Sequence, residues 1–322
     1  MPAAIARRGT SENNLLSAFG CSLCGLCDAA CPEGLSPSTM FLAMRQEAQK
    51  LGLVDLKAYT PWLNYEHLGG STLFQRDLIP KNCSSVFFPG CSLPGSRPQA
   101  VHELFTRLKT LDPTTGLVLD CCGKISHDLG LADRFQQIFN KLADRLQNRG
   151  ITRILTACPG CSKILQKYGA GLEVISVYEI LASSPLPHTP CPLPLAPVVI
   201  HDPCPARFDT AQQQAVRRLV SSCGYSFEEM PEHGRTTRCC GQGGMVEGCV
   251  PGTVKRESAI IAAEAVGRRV ISSCGACCET MTATTPTAHV ADLLVGNTVF
   301  SDRPVSSARR WINRLKLKFA RV

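Results

Sequence analysis

No stretch of this 322-residue chain reaches eighteen apolar residues without a charge, so no membrane-spanning helix is predicted. Residues 1–14 hold two arginines but neither an apolar centre nor a small-residue cleavage site, so no secretory signal is read. No Ser-His-Asp arrangement, Walker pattern or complete flavin or nicotinamide fingerprint occurs, which leaves hydrolytic and nucleotide-dependent chemistry without a signature. Charged residues make up only 19% of the chain against 44% hydrophobic, which excludes a disordered polymer. The length predicts about two domains and a core that needs no disulfide staples. What the chain has in excess is cysteine, 19 residues of it. An unexported chain occupies a reducing compartment, where clustered thiols bind metal or do chemistry, and the odd total agrees. A cytoplasmic location is expected.

The net charge of +8 is local. Residues 303–322 carry seven basic side chains and no acidic one, and the rest is near neutral with 27 basic against 26 acidic residues. Such a body does not suit nucleic acid. At 100° per residue, Trp311, Ile312, Leu315, Phe319 and Val322 share one arc that excludes the nearby Lys and Arg, which predicts a basic amphipathic helix. That helix either docks on its own domain with a solvated basic face or meets an anionic membrane surface or a partner subunit.

Along the chain, residues 1–20 read as a loose arm, 21–34 as a cysteine-dense loop, 38–51 as a helix and 53–82 as a connector. Short apolar runs then alternate with helical stretches. Strands are expected at 86–88, 117–119, 151–156 and 172–177, with helices at 98–111 and 132–148. Six prolines in 185–197 mark a linker. The pattern recurs with strands at 198–200 and 270–271 and helices at 211–222, 257–269 and 289–295. The expected fold is α/β: a small α-helical ferredoxin-like segment, then two similar βα cysteine-rich domains. The boundaries read are 1–82, 83–184, the linker 185–197, 198–300 and the tail 301–322.

Cys21, Cys24, Cys27 and Cys31-Pro32 spell C-x2-C-x2-C-x3-C-P, whose spacing wraps one loop round a cubane 4Fe-4S cluster. Structural zinc takes paired C-x2-C knuckles set well apart, not four cysteines in one run. In two-cluster ferredoxins the fourth cysteine serves the other cluster, and no second run exists here, so either Cys31 or a remote residue such as Cys83 completes the set.

Two five-cysteine repeats follow. The first comprises Cys91, Cys121, Cys122, Cys158 and Cys161, the second Cys204, Cys239, Cys240, Cys274 and Cys277. Cys91, Cys121, Cys158, Cys204 and Cys274 each lie just past the carboxyl end of an expected strand, where an open parallel sheet binds its ligands. Five thiolates exceed the four of tetrahedral zinc, and soft sulfur selects iron-sulfur chemistry or zinc.

The repeats resemble the paired CCG domains of the heterodisulfide reductase B/D family, and the first run resembles its ferredoxin part; the likeness extends from Cys21 to about Val295. It implies an unusual non-cubane iron-sulfur cluster on the five cysteines of each complete repeat, hence one or two clusters beyond the cubane. It also implies that the two clusters split a disulfide between them, with electrons arriving through the cubane. The chain departs from the family in having one cubane motif where the reductases usually have two. Related CCG proteins serve as iron-sulfur subunits of quinone-linked glycerol-3-phosphate, lactate or glycolate oxidation, and some repeats hold fewer clusters or zinc. The resemblance therefore implies an iron-sulfur oxidoreductase subunit that reduces a disulfide-type acceptor, or an electron-transfer subunit with no substrate site of its own. Because no flavin signature is present, a flavoprotein or membrane cytochrome partner is expected, with the basic tail as its dock and a peripheral place on the inner face of the membrane.

Of the other cysteines, Cys191, Cys223 and Cys249 read as small buried hydrophobes, while Cys278 adjoins a ligand and is a substitute for it. Gly241-Gln242-Gly243-Gly244 follows a Cys-Cys pair rather than opening a strand-turn-helix, so it is expected to let backbone wrap a cluster. His127 and His201 are candidate proton sources beside the cysteines, or structural residues.

Overall fold

The computed structural model describes residues 11–185, 197–296 and 300–320. Most of the proline-rich linker, the first half of the amino-terminal arm, Cys191, Arg321 and Val322 lie outside them. The helices α1 (Glu12–Ser17), α2 (Leu26–Ala30), α3 (Pro37–Lys50) and α4 (Thr60–Gly69) form the amino-terminal segment. Then come β1 (Arg76–Leu78), β2 (Ser85–Phe88), α5 (Ser92–Ser96), α6 (Pro98–Leu111), β3 (Gly116–Leu119), α7 (Lys124–Asp128), α8 (Ala132–Gln147), β4 (Arg153–Thr156), α9 (Pro159–Tyr168), β5 (Glu173–Ser176) and α10 (Val177–Ala182). The second half holds β6 (Val198–His201), α11 (Thr210–Ser222), β7 (Phe227–Glu229), α12 (Thr253–Glu264), β8 (Val270–Ser272), α13 (Gly275–Met281), β9 (Thr287–His289), α14 (Val290–Leu294) and α15 (Ser307–Phe319).

The duplication read from the cysteines is a duplication of topology. One sheet has the order β1-β3-β2-β4-β5 and the other β7-β6-β8-β9, so after removal of β1 the two orders are the same. All pairings are parallel except β1 with β3. Strands covered on both faces read as continuous apolar runs, which is why β2, β3 and β6 were legible.

Alternate residues of each central strand serve two cores. Phe87, Ile200 and Ile271 face a shared core with α6, α10, α11 and α14, where Leu104, Tyr178, Leu219 and Leu294 are buried. Val86 and Phe88 face an outer core with Phe135, Phe139 and Ile164. Val199 and Val270 face the equivalent outer core with Ile261 and Met281. The shared core joins both repeats into one body. A fourth core, with Leu15, Phe19, Met44 and Ala48, takes in Leu129 of the first repeat and Met245 of the second, so the amino-terminal segment bridges both.

Several expected elements shift. β1, β7 and β9 were not expected, because R-D-L, F-E-E and T-A-H are three-residue strands without an apolar run. The helix expected at 257–269 begins at Thr253: Glu247 accepts from the Gly252 and Val254 amides at 2.7 and 2.8 Å and organises its start. It stops at Glu264, before Val266 and Gly267 turn to positive φ. His289 ends β9 and caps α14 instead of opening a helix, accepting from the Ala291 amide at 3.1 Å.

Gly130 shows how tightly the segment meets the first repeat. Its φ is +77°, and a Cβ there would lie 2.6 Å from the Arg45 carbonyl carbon and 2.7 Å from the Gln46 nitrogen. Both the left-handed backbone and the clash with α3 oppose a side chain. Gly130→Ala is expected to cost about 3 kcal/mol, read as a lowered urea midpoint with unchanged m-value.

Candidate functional site

Three adjacent parallel strands in each repeat deliver the cysteines to one edge. Cys91 follows β2 and opens α5, Cys121 and Cys122 follow β3, Cys158 follows β4, and Cys161 sits in the first turn of α9. In the second repeat Cys204 follows β6, Cys274 follows β8, Cys277 lies on α13, and Cys239-Cys240 sit in the long loop before α12.

Within each repeat the thiols touch in a chain. Cys204 meets Cys239 at 3.7 Å and Cys240 meets Cys277 at 3.2 Å. Cys239 also bonds Cys240, and Cys274 bonds Cys277. In the first repeat Cys91 bonds Cys121, and Cys161 bonds both Cys122 and Cys158. Contacts between neighbouring thiols split their acidities: hydrogen bonding holds Cys91, Cys158, Cys239 and Cys240 below the ordinary thiol value. Cys121, Cys161, Cys204 and Cys277 are pushed above it by their thiol neighbours, with burial adding to the shift. Among the described residues no three His, Cys, Asp or Glu side chains close to the spacing of a single metal ion, and none of the described cysteines is in a disulfide.

The surroundings suit a bulky anionic group on soft sulfur. The donors are thiols, the ligand type that selects iron-sulfur clusters. A Cβ at Gly90 would lie 2.9 Å from the Cys158 Cβ and 3.1 Å from the Cys161 Sγ, and its φ is +77°, so the backbone passes against the thiols where only glycine fits. The Arg314 Nη1, whose charge acts on Cys91, and the Ser162 Oγ beside Cys161 are buried with no hydrogen-bond partner among the described residues. Unmet donors of this kind in a folded interior mark a place for an acceptor.

The amino-terminal run abuts the second repeat. Cys24 hydrogen-bonds Cys239, which pushes it far up, with burial second. Cys21 is raised by burial and feels Cys24 and Cys27. Cys27 is exposed, and Cys31 ends α2 four residues further on. Two buried arginines hold this run. Arg45 donates to the carbonyls of Ala18, Cys21, Asp128 and Gly244 at 2.5 to 3.1 Å. Arg207 donates to those of Cys24, Arg235 and Thr237 at 2.6 to 3.1 Å. Neither was singled out in the sequence, though Arg45 stands between Leu42 and Ala48 on the buried face of α3, where helical spacing calls for an apolar residue. Gly243 and Gly244 admit the run: a Cβ on them would lie 2.4 Å from the Ser22 oxygen and 2.7 Å from the Cys21 oxygen. These glycines therefore accommodate the neighbouring loop.

Cys83 donates to the Ser85 carbonyl at 3.1 Å at the start of β2, the opposite end of the strand from Cys91. Cys278 points at the carbonyls of Ser272 and Ala288, into its own sheet, rather than standing in for Cys277. Cys223 is buried as expected, but Cys249 is exposed, because the loop after Gly248 turns outward before α12. His201 lies between Ser272 and the Arg238 carbonyl, and burial holds it below its usual value, so it is a neutral structural residue. His127 bonds Asp128 at 2.8 Å and the Tyr168 hydroxyl at 2.9 Å.

Asp128 also pairs with Lys124, whose stem lies over Gly160 beside Cys158. Burial alone would lower Lys124, but Asp128 beside it holds it above its ordinary value. A crevice of about 430 Å³ opens beside them, lined by Pro159, Ser162 and Lys163 next to Cys158 and Cys161, and by Pro205 and Ala206 next to Cys204. Its volume is within the range of small-molecule sites.

Comparison with known proteins agrees with this arrangement. A family model described as a cysteine-rich domain, CCG, matches residues 85–166 and 198–282, and one described as a 4Fe-4S dicluster domain matches residues 2–36. That second stretch carries four cysteines. The chain is 25% identical over 297 residues to a subunit of the dihydromethanophenazine:CoB–CoM heterodisulfide reductase of Methanosarcina mazei, covering 81% of this chain and 71% of that one. It is 24% identical over 267 residues to the same subunit of Methanosarcina barkeri, covering 72% and 63%. The Methanosarcina acetivorans counterpart is 25% identical over 268 residues, again covering 72% of this chain and 63% of its own.

Proposed function

Because the chain belongs to the heterodisulfide reductase B/D-like family, with its paired CCG cysteine-rich domains, we propose that it is the subunit of a redox complex that reduces a disulfide-type acceptor. Cys21, Cys24, Cys27 and Cys31 would hold one cubane cluster, since Cys83 lies at the far end of β2. The two five-cysteine sets would each hold a non-cubane cluster. Bound clusters would supply electrons singly, and the reaction consumes two with two protons: RS–SR′ + 2 e⁻ + 2 H⁺ gives RSH and R′SH. The donor is a partner subunit, a flavoprotein or membrane cytochrome, and the protein is cytoplasmic and peripheral to the membrane.

The observation that carries this reading is the pair of complete five-cysteine sets, gathered beyond the carboxyl ends of two sheets with matching strand order. Around these sets the chain's own residues have defined tasks. Lys163, which lines the nearby crevice, offers a donor to a polar substituent, and Lys124 lies over Gly160 beside Cys158.

The test is single turnover. Anaerobically purified, pre-reduced protein is mixed with a series of small disulfides, and reoxidation is followed by absorbance and EPR while free thiol is counted. Two thiols formed per two electrons lost support the reading. Reoxidation by quinone analogues alone, with every disulfide inert, would support the electron-transfer subunit instead.

A further inference from the structure

The carboxy-terminal helix α15 docks on the first repeat, but with its polar face inward. Asn313, Arg314 and Leu317 are buried, whereas Ile312 is 46% and Phe319 73% exposed. The expectation of a solvated basic face on a docked apolar one is thus reversed. The reason is the chemistry of the groove. Asn313 donates to the Gly95 carbonyl at 2.7 Å, Arg314 to that of Gly69 at 2.8 Å, and Arg310 pairs with Glu279 at 2.7 Å. The Arg314 guanidinium also lies over the rings of Trp311, Phe74 and Tyr65. Polar partners and aromatic faces in the groove select the arginines for the inside.

Ile312, the half-buried Leu315 and Phe319 consequently run along the outer surface at i, i+3 and i+7. Arg309 and Lys316 are exposed beside this stripe, with no ion pair among the described residues. Leu73 is 53% exposed, next to the Thr72 carbonyl that accepts from Lys318.

We propose that this face is a membrane contact: Ile312, Leu315 and Phe319 enter the headgroup layer of an anionic bilayer, and Arg309 and Lys316 meet its phosphates. Charge and shape favour lipid over protein. Residues 303–322 contain no acidic side chain. A single convex helix about 20 Å long presents far less than the roughly 800 Å² per partner of a stable protein interface. A short helix with an apolar edge and basic flanks lies in the interface plane of a bilayer. No helix among the described residues is long and apolar enough to cross a membrane, so the contact is peripheral.

Full-length protein is sedimented with vesicles of phosphatidylcholine, with and without phosphatidylglycerol. Binding is expected to the anionic vesicles and to weaken with added salt. In Ile312→Ser/Phe319→Ser the bound fraction should fall at least about tenfold with unchanged thermal stability, since both side chains are exposed. Arg309→Gln/Lys316→Gln should abolish the preference for anionic lipid. Failure of the wild type to sediment with either vesicle, equal binding to both, or full binding by the serine variant would each overturn the proposal. If the serine variant instead loses a co-purifying subunit while vesicles bind neither protein, the face belongs to a protein partner. Disulfide turnover in detergent-free solution reads the active site separately, so failure here leaves that reading standing.

Discussion

Replacing Arg45 with methionine should lower stability by about 3–5 kcal/mol and strip iron from the amino-terminal run. The side chain is fully buried, and its hydrogen bonds join three parts of the chain: the run through Ala18 and Cys21, the first repeat through Asp128, and the second through Gly244. Methionine fills the volume but leaves those carbonyls in the interior without a donor. Denaturant titration gives the stability change, and iron and acid-labile sulfide per chain give the occupancy. A variant within about 1 kcal/mol of wild type with full iron content would show that α2 and its loop hold themselves in place.

Cys240→Ser should remove the iron of the second repeat and spare that of the first, and Cys122→Ser should do the reverse. The two cysteines belong to separate outer cores, Cys122 with Phe135 and Ile164, Cys240 with Ile261 and Met281. Losses at sites without shared partners are independent. Serine keeps the volume at each position and replaces a soft ligand with a hard one. Iron analysis with EPR of both anaerobic proteins checks this, together with the double variant, whose loss should equal the sum. If either single variant keeps its full iron, that repeat holds no cluster on those cysteines; if either loses all iron, the repeats assemble as one unit.

Much of this site was legible because its chemistry sits in short motifs. The C-x2-C-x2-C-x3-C-P run and the Cys-Cys-Gly pairs use one rare residue type at fixed spacings, and their repetition marked the duplication before any strand pairing was known. The helix at 98–111 was read with both ends correct, since Pro98 opens it and the apolar positions keep strict helical spacing. Strands of three residues were not legible, because R-D-L, F-E-E and T-A-H gain their place from a neighbouring strand rather than from their own pattern. The tail was legible as a helix, but the face by which it docks was not. Periodicity gives the direction of an apolar face but not the chemistry of what it packs against, and here Gly69, Glu279 and three aromatic rings drew in the arginines while the Gly95 carbonyl drew in Asn313.

The sequence by itself determined the thiol inventory, the twofold repeat and the alternation of strand and helix, all of which are local properties of the chain. Only the tertiary structure decided which cysteines touch, that the amino-terminal run abuts the second repeat at Cys239, and that two buried arginines hold it there. Those outcomes depend on contacts between residues far apart along the chain, such as Arg45 with Gly244, 199 positions away, and Cys24 with Cys239. No spacing rule reaches so far, because such contacts are set by how sheets and helices pack once the apolar faces are buried.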